Sequence, residues 1–193
     1  MKSLWIVLIA LLGTSLAQNV AQSPPSAPLF LPAAGQRFYF DLDTAGGSFS
    51  EWRHDDLSSL SALRATVRIL RMREDVIWSP AFSLWLQHTE GGKKQQRLAL
   101  QFFTDHHRTP LATQLIQTES GRQSKPERLN TALGLNESIV VEIDWSVPHA
   151  VAIKIGNAEA RRVAISWPIN SVGVSVSTGE MEVDPIEFGT TSN

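Results

Sequence analysis

From residue 37 onward the chain alternates apolar and polar positions with a period of two, in short runs rich in Val, Ile, Phe and Trp that Gly, Pro, Asn and Asp interrupt. Successive side chains of a strand point to opposite faces, so this alternation predicts strands with one buried face. Ten runs fit: 37–42, 63–70, 81–88, 98–104, 112–118, 138–145, 151–155, 162–167, 172–177 and 185–188. No window of helical length carries an apolar stripe at i, i+3, i+4 and i+7; only 55–63 and 126–133 suit one or two helical turns. About ten strands at this spacing predict an all-β fold, a two-sheet antiparallel sandwich or a barrel. Glu90-Gly91-Gly92-Lys93 and Gly156-Asn157 supply residues that tolerate positive φ and predict hairpin turns.

Two runs show how such strands divide their faces. Ile139, Val141, Ile143 and Trp145 share one side of a strand, with Val140, Glu142 and Asp144 on the other. Val172, Val174 and Val176 stand opposite Gly173, Ser175 and Ser177. One dry and one wetter face is the behaviour of strands in a two-layer sandwich, whose core lies between the sheets. The runs 81–88 and 98–104 depart from it. Phe82, Leu84, Leu86, Leu98, Leu100 and Phe102 form the dry side, whereas Ser83, Trp85, Gln87, Ala99, Gln101 and Phe103 mix aromatics with amides. Two readings follow. On an open concave face, Trp85 and Phe103 stack on a sugar ring while Gln87 and Gln101 hydrogen-bond its hydroxyls. Alternatively a loop or a second small core covers both aromatics.

Composition narrows the function classes. The 193 residues hold 17 Lys and Arg against 19 Asp and Glu, with no Cys. That balance argues against a dedicated nucleic-acid binder, which concentrates basic residues in a patch. Without Cys there is no disulfide scaffold, thiolate metal site or cysteine nucleophile. Lys2, the apolar run LWIVLIALL over 4–12 and the small-residue exit at Ser15-Leu16-Ala17 predict a signal peptide over 1–17. The run is shorter than the ~20 residues a spanning helix needs, so no membrane span is expected after cleavage and the product is periplasmic or secreted. Pro24, Pro25, Pro28 and Pro32 mark 18–36 as an extended linker, whose Leu29, Phe30 and Leu31 are apolar enough to dock on the domain edge. The domain is expected over 37–193.

The last third of the chain carries a more particular order. A strand ends in Trp145, the short strand 151–155 ends in Gly156-Asn157, and a valine-rich strand leads through Gly179 to Ile186-Glu187-Phe188-Gly189. This resembles the closing strands of the concanavalin A-like lectin and glucanase superfamily, including its laminin-G-like members. The resemblance implies a curved two-sheet jelly roll whose concave face or edge loops bind carbohydrate. Some members are glycoside hydrolases with the pattern Glu-x-Asp-x-x-Glu on one strand. Here Glu142-Ile143-Asp144 begins that pattern, but Val147 stands at the third carboxylate. A retaining hydrolase needs two carboxyl groups ~5 Å apart, one with a raised pKa; alternating carboxylates on a solvated strand face are the competing explanation. Jelly-roll polysaccharide lyases are a second comparison, echoed by Arg71, Arg73, Gln87 and His88. Their tyrosine motif has no counterpart, since the chain's single Tyr is Tyr39.

The remaining candidates are sparse. Asp105-His106-His107 holds the chain's adjacent histidines, but a divalent metal takes three or four ligands from spaced positions. Asp41 with Asp43, or Asp55 with Asp56, suits turn and cap duties as well as calcium. Arg64, Arg68, Arg71 and Arg73 make a partly cationic strand, suited to anionic glycans or to protecting an edge. The sequence therefore predicts no catalytic set, no metal and no cofactor. It predicts an exported module whose partner is a polysaccharide or another envelope component, with ligand contacts at Trp85, Gln87, Gln101, Phe103, Glu142 and Asp144. The alternatives are a hydrolase or lyase on the same fold, and a structural protein-interaction domain.

Overall fold

The computed structural model describes residues 29–192, apart from 74, 76, 91–93, 105–108 and 120. The expected leader, residues 18–28 of the expected linker, the Gly91-Gly92-Lys93 turn and the Asp105-His106-His107 cluster lie outside the described residues. Thirteen strands follow in order: β1 (Leu29–Asp43), β2 (Phe49–His54), β3 (Ala62–Met72), β4 (Ala81–Glu90), β5 (Lys94–Phe103), β6 (Leu111–Glu119), β7 (Arg122–Gln123), β8 (Glu127–Leu133), β9 (Ser138–Asp144), β10 (Ala150–Ile155), β11 (Arg161–Ala164), β12 (Ser171–Ser177) and β13 (Gly179–Ser192). They form two antiparallel sheets. One has six strands in the order β1-β13-β3-β9-β10-β11; the other has seven, β2-β12-β4-β5-β6-β7, with β8 also paired to β6. Among the described residues no helix is long and apolar enough to cross a membrane.

The core is the layer between the sheets. Val67, Ile69, Val141, Ile143, Val183 and Phe188 meet Phe82, Leu84, Leu100, Phe102, Val174 and Val176, all at most 2% exposed. Each set comes from alternate positions of its strands, as the period-2 pattern requires. An aromatic group extends this layer at the β1 and β2 edges: Phe40 and Trp52 rings lie 4.4 Å apart, and His54 and Phe188 rings 5.0 Å apart.

Four expectations about elements change. Residues 126–133 are not a helical turn; most of them form β8, laid along β6. Leu129 and Leu133, four positions apart, suit one face of a helix and one face of a strand equally, and the free edge of β6 decides between them. Residues 55–63 hold a turn closed by Leu60 N donating to Leu57 O at 3.1 Å, and they run into β3. The expected strand 185–188 is the middle of β13, because the chain passes Pro185 in a bulge: the ladders to β1 and β3 shift register between Val183 and Ile186. Proline has no N–H to give a ladder, and a bulge removes the demand for one. Residues 29–36, placed in the linker by composition with Leu29, Phe30 and Leu31 apolar enough to dock on the domain edge, lie within β1, where Leu29 to Pro32 pair with Ser192 to Gly189. Their backbone groups gain ladder partners along β13, which offsets the ordering of a Pro-containing segment.

Candidate functional site

Strand pairing decides which outward-facing residues become neighbours. On the seven-stranded sheet the outer face is the set that alternates with the core residues Phe82, Leu84, Leu86, Leu98, Leu100 and Phe102. Across β2, β12, β4, β5 and β6, one row reads Glu51, Ser175, Ser83, Gln101 and Gln114. The next row reads Arg53, Gly173, Trp85, Ala99 and Ile116. Beyond it lie Ser171, Gln87, Arg97 and Thr118, and on the opposite flank Phe49, Ser177, Ala81, Phe103 and Ala112. The pairing thus gathers all four predicted residues of this region, Trp85, Gln87, Gln101 and Phe103, onto one surface.

That surface is recessed. Ser83, Gln87, Gln114, Ser171 and Ser175 point away from the core, yet none is more than 9% exposed. Trp85 is 1% exposed and lies flat on the sheet over Gly173, where a Cβ would come 2.3 Å from indole Cζ2 and 2.2 Å from the Trp52 carbonyl oxygen. Only glycine leaves room for that ring. Above the indole sits the Arg97 guanidinium, 4.3 Å from the ring centroid. Arg97 Nε and Nη2 donate to Gln87 Oε1 at 2.9 and 2.7 Å, and Nη1 stands 3.3 Å from Glu51 Oε2. Trp85 is therefore covered by a side chain rather than presented to solvent. Of the two readings of the mixed face, the covered one describes Trp85, and the stacking role expected of it does not fit this arrangement. Phe103 is half-buried, with the Arg128 guanidinium 5.4 Å from its ring centroid.

The amides are arranged in pairs. Gln114 Nε2 donates to Gln101 Oε1 at 2.6 Å, a bond that does not use the Gln101 NH₂ or the Gln114 carbonyl. The Trp85 indole N–H and the Ser171 hydroxyl are buried without a hydrogen-bond partner. Such groups are costly to desolvate unless a partner arrives.

Glu142 and Asp144 lie elsewhere, on the outer face of the six-stranded sheet. They line a groove of about 330 Å³ with Phe30, Arg64, Lys154 and Thr191. Arg64 Nη2 lies 2.7 Å from Glu142 Oε1, and Lys154 Nζ lies 3.5 Å from Glu142 Oε2. Asp144 Oδ1 accepts from the Ser146 backbone N–H at 2.8 Å. Both carboxylates thus have structural partners, and they share no surface with Trp85, Gln87, Gln101 and Phe103. The cationic strand is neutralised in the same way: Arg68 pairs with Glu182, Arg71 with Glu180 at 3.7 Å, and Arg73 with Asp43 at 2.7 Å. The residues that echo a lyase are split, Arg71 on β3 and Arg73 just beyond it, Gln87 and His88 on β4 of the other sheet. Asp55 accepts from Arg53, and Asp56 from Ser58, so these carboxylates serve local turns.

Arg97, Gln114 and Glu51 complete the recessed face and were not singled out by sequence, while Ser83 and Ser175 were placed on outward strand faces without a ligand role. Arg97 was not legible from the turn residues: a two-residue turn at Gly91-Gly92 would put Gln96 opposite Gln87, whereas the ladder pairs Glu90 with Lys94 and hence Gln87 with Arg97. Gln114 carried no signal either, because its place opposite Gln101 depends on the register of β5 with β6.

With this geometry in place, comparison with solved structures defines the class. A legume lectin-like domain from Entamoeba histolytica matches with a TM-score of 0.54 at 12% identity, over 80% of this chain and 84% of that one. A galectin from Caenorhabditis elegans matches at 0.52 and 13%, over 81% and 98%. A β-glucanase from Bacillus licheniformis matches at 0.52 and 7%, over 86% and 100%. The chain has the concanavalin A-like jelly-roll fold. No protein-family model and no curated sequence matches it.

Proposed function

We propose that this protein is a saccharide-binding module, exported by its leader and acting without catalysis on a polysaccharide outside the cytoplasm. The observation that carries the reading is the recessed outer face of the seven-stranded sheet. There Ser83, Gln101, Gln114, Ser171 and Ser175 line with amides and hydroxyls a trough floored by Trp85 and Arg97. A saccharide matches that chemistry, since its hydroxyls donate and accept around the ring and supply partners to groups that have lost water. The lectins among the structural neighbours support the reading at the level of the fold.

The test is electrophoresis of the purified protein, residues 18–193, through gels containing laminarin, a soluble β-1,4-glucan, a galactan or polygalacturonate. Retardation by at least one of them, abolished in Gln101→Leu/Gln114→Leu, is expected. Leucines of similar size replace both partners of one amide pair, so the fold should survive while ligand contacts vanish. Migration unaffected by all four would refute the proposal. Reducing-end release from the same polymer would assign the protein to hydrolysis instead.

A further inference from the structure

The trough has aromatic residues at one end, and the most accessible of the described tryptophans stands just beyond it. Trp78 is 48% exposed and Ile77 86%, both in the β3–β4 connection, three and four residues before Ala81. Ala81 pairs with Phe103 on one side and Ser177 on the other, and Ser177 with Phe49, which is itself 55% exposed. At most about 10 Å of chain separates Trp78 from that row.

An exposed indole on a loose loop would signify little, but this one is pinned. Asp75 Oδ1 accepts from the backbone N–H groups of both Ile77 and Trp78 at 2.8 Å, a side-chain turn that holds the main chain from which the indole projects. Arg73, at the start of the connection, donates Nη2 to both oxygens of Asp43 at 2.7 and 2.9 Å, and its backbone N–H donates to Thr178 O at 3.0 Å. The β1–β2 turn packs against the same carboxylate, since a Cβ on Gly47 would lie 2.9 Å from Asp75 Oδ2. The β1–β2 and β3–β4 connections thus pack against each other at Asp75.

The surroundings narrow the occupant. One indole, one isoleucine and a rim of Asp43, Asp75 and Arg73 is too small an apolar surface for a stable protein partner, which needs roughly 800 Å² a side. It suits a flat ligand with an apolar face and hydrogen-bonding edges, and a pyranose ring is such a ligand. The Ile77 and Trp78 N–H groups both bond Asp75 Oδ1 and leave Oδ2 out of the turn.

We propose that Trp78 and Asp75 form a second sugar subsite beyond the Phe103 end of the trough, so that the ligand is a chain of several sugars running off the end of the sheet. The inference rests on the saccharide-binding reading above. The two fail in different ways in one experiment: titration of the protein with laminari-, cello-, galacto- and galacturono-oligosaccharides of one to six sugars, with Trp78→Ala, Trp78→Phe, Asp75→Ala and Asp75→Asn beside the unaltered chain.

In the unaltered chain, affinity should rise with length for at least one series. Trp78→Ala should lose up to about tenfold of that rise, the worth of one good aromatic contact, and leave the shortest ligands unaffected. Trp78→Phe should keep most of the rise, and Asp75→Asn more of it than Asp75→Ala because its amide oxygen still accepts from the turn. A Trp78→Ala length series that overlays the unaltered one overturns the second subsite and leaves the trough standing. Equal loss for short and long sugars places Trp78 within the first site and overturns the division into two. No binding by the unaltered chain removes both proposals.

Discussion

The two outer faces of this sandwich solve one problem in different ways. Each must keep a sheet soluble on the side away from the core. The six-stranded sheet does it with charge: Arg37, Glu187, Arg64, Glu142 and Lys154 lie on successive strands in alternating sign, and Arg68–Glu182 and Arg71–Glu180 repeat the motif. These are partly exposed ion pairs, each worth at most about 1 kcal/mol. The seven-stranded sheet uses hydroxyls, amides and a covered indole that water scarcely reaches. A fully paired and solvated face has little left to offer a ligand, whereas a recessed face with unpaired groups gains from one. The proposed saccharide binding rests on this contrast between the two faces.

The sharpest way to break that contrast is to remove the floor of the recessed face. Trp85→Ala should cost about 3–5 kcal/mol, the range for a buried large aromatic, and denaturant unfolding should show it as a lower midpoint. Val140→Ala, on the outer face of the other sheet and 40% exposed, should stay within about 0.5 kcal/mol. Equal effects would mean the recessed face is no more structural than the charged one. Gly173→Ala comes next. Its methyl would meet Trp85 and the Trp52 carbonyl, and about 1–3 kcal/mol of overpacking is expected, together with weaker retardation on glycan gels.

On the charged face, Glu142→Gln should lower stability by at most about 1 kcal/mol, with the loss shrinking as salt screens the ladder. Polysaccharide retardation should be unchanged. Its disappearance would move the binding site to the groove beside Arg64 and Lys154.

The smallest effect concerns Asp75. Hydrogen bonds from the Ile77 and Trp78 N–H groups hold its carboxyl below the ordinary carboxylate range. A carboxylate with a depressed folded-state pKa contributes its turn above the unfolded pKa and loses it as pH falls through the folded value. The Trp78 turn should therefore persist through mildly acidic pH and loosen below the pH at which an ordinary carboxylate takes up its proton. Tryptophan fluorescence against pH, compared with Asp75→Asn, would report it; an identical acid transition in both would show that Asp75 does not govern the turn.

Some of this molecule was written in local pattern. Alternation placed Val172, Val174 and Val176 in the core and Glu142 and Asp144 outside it, since two-residue periodicity is a property of the strand alone. It also located the mixed surface of β4 and β5. Leu129 and Leu133 were ambiguous because positions four apart share a face in either geometry. Leu29 to Pro32 read as linker because their stabilising partners, Gly189 to Ser192, lie at the far end of the chain.

The sequence by itself determined which side of each strand is dry, how many residues are available for two sheets, and that amides and aromatics share one strand face. The tertiary structure alone decided which outward residues meet: Gln101 with Gln114, Arg97 with Glu51, Arg64 with Glu142, and Trp85 with Gly173. Strand order and long-range register set those meetings, and they turn on packing between segments many residues apart. Whether an outward indole is an open platform or a covered floor follows from the neighbour that register supplies, and for Trp85 that neighbour is Arg97.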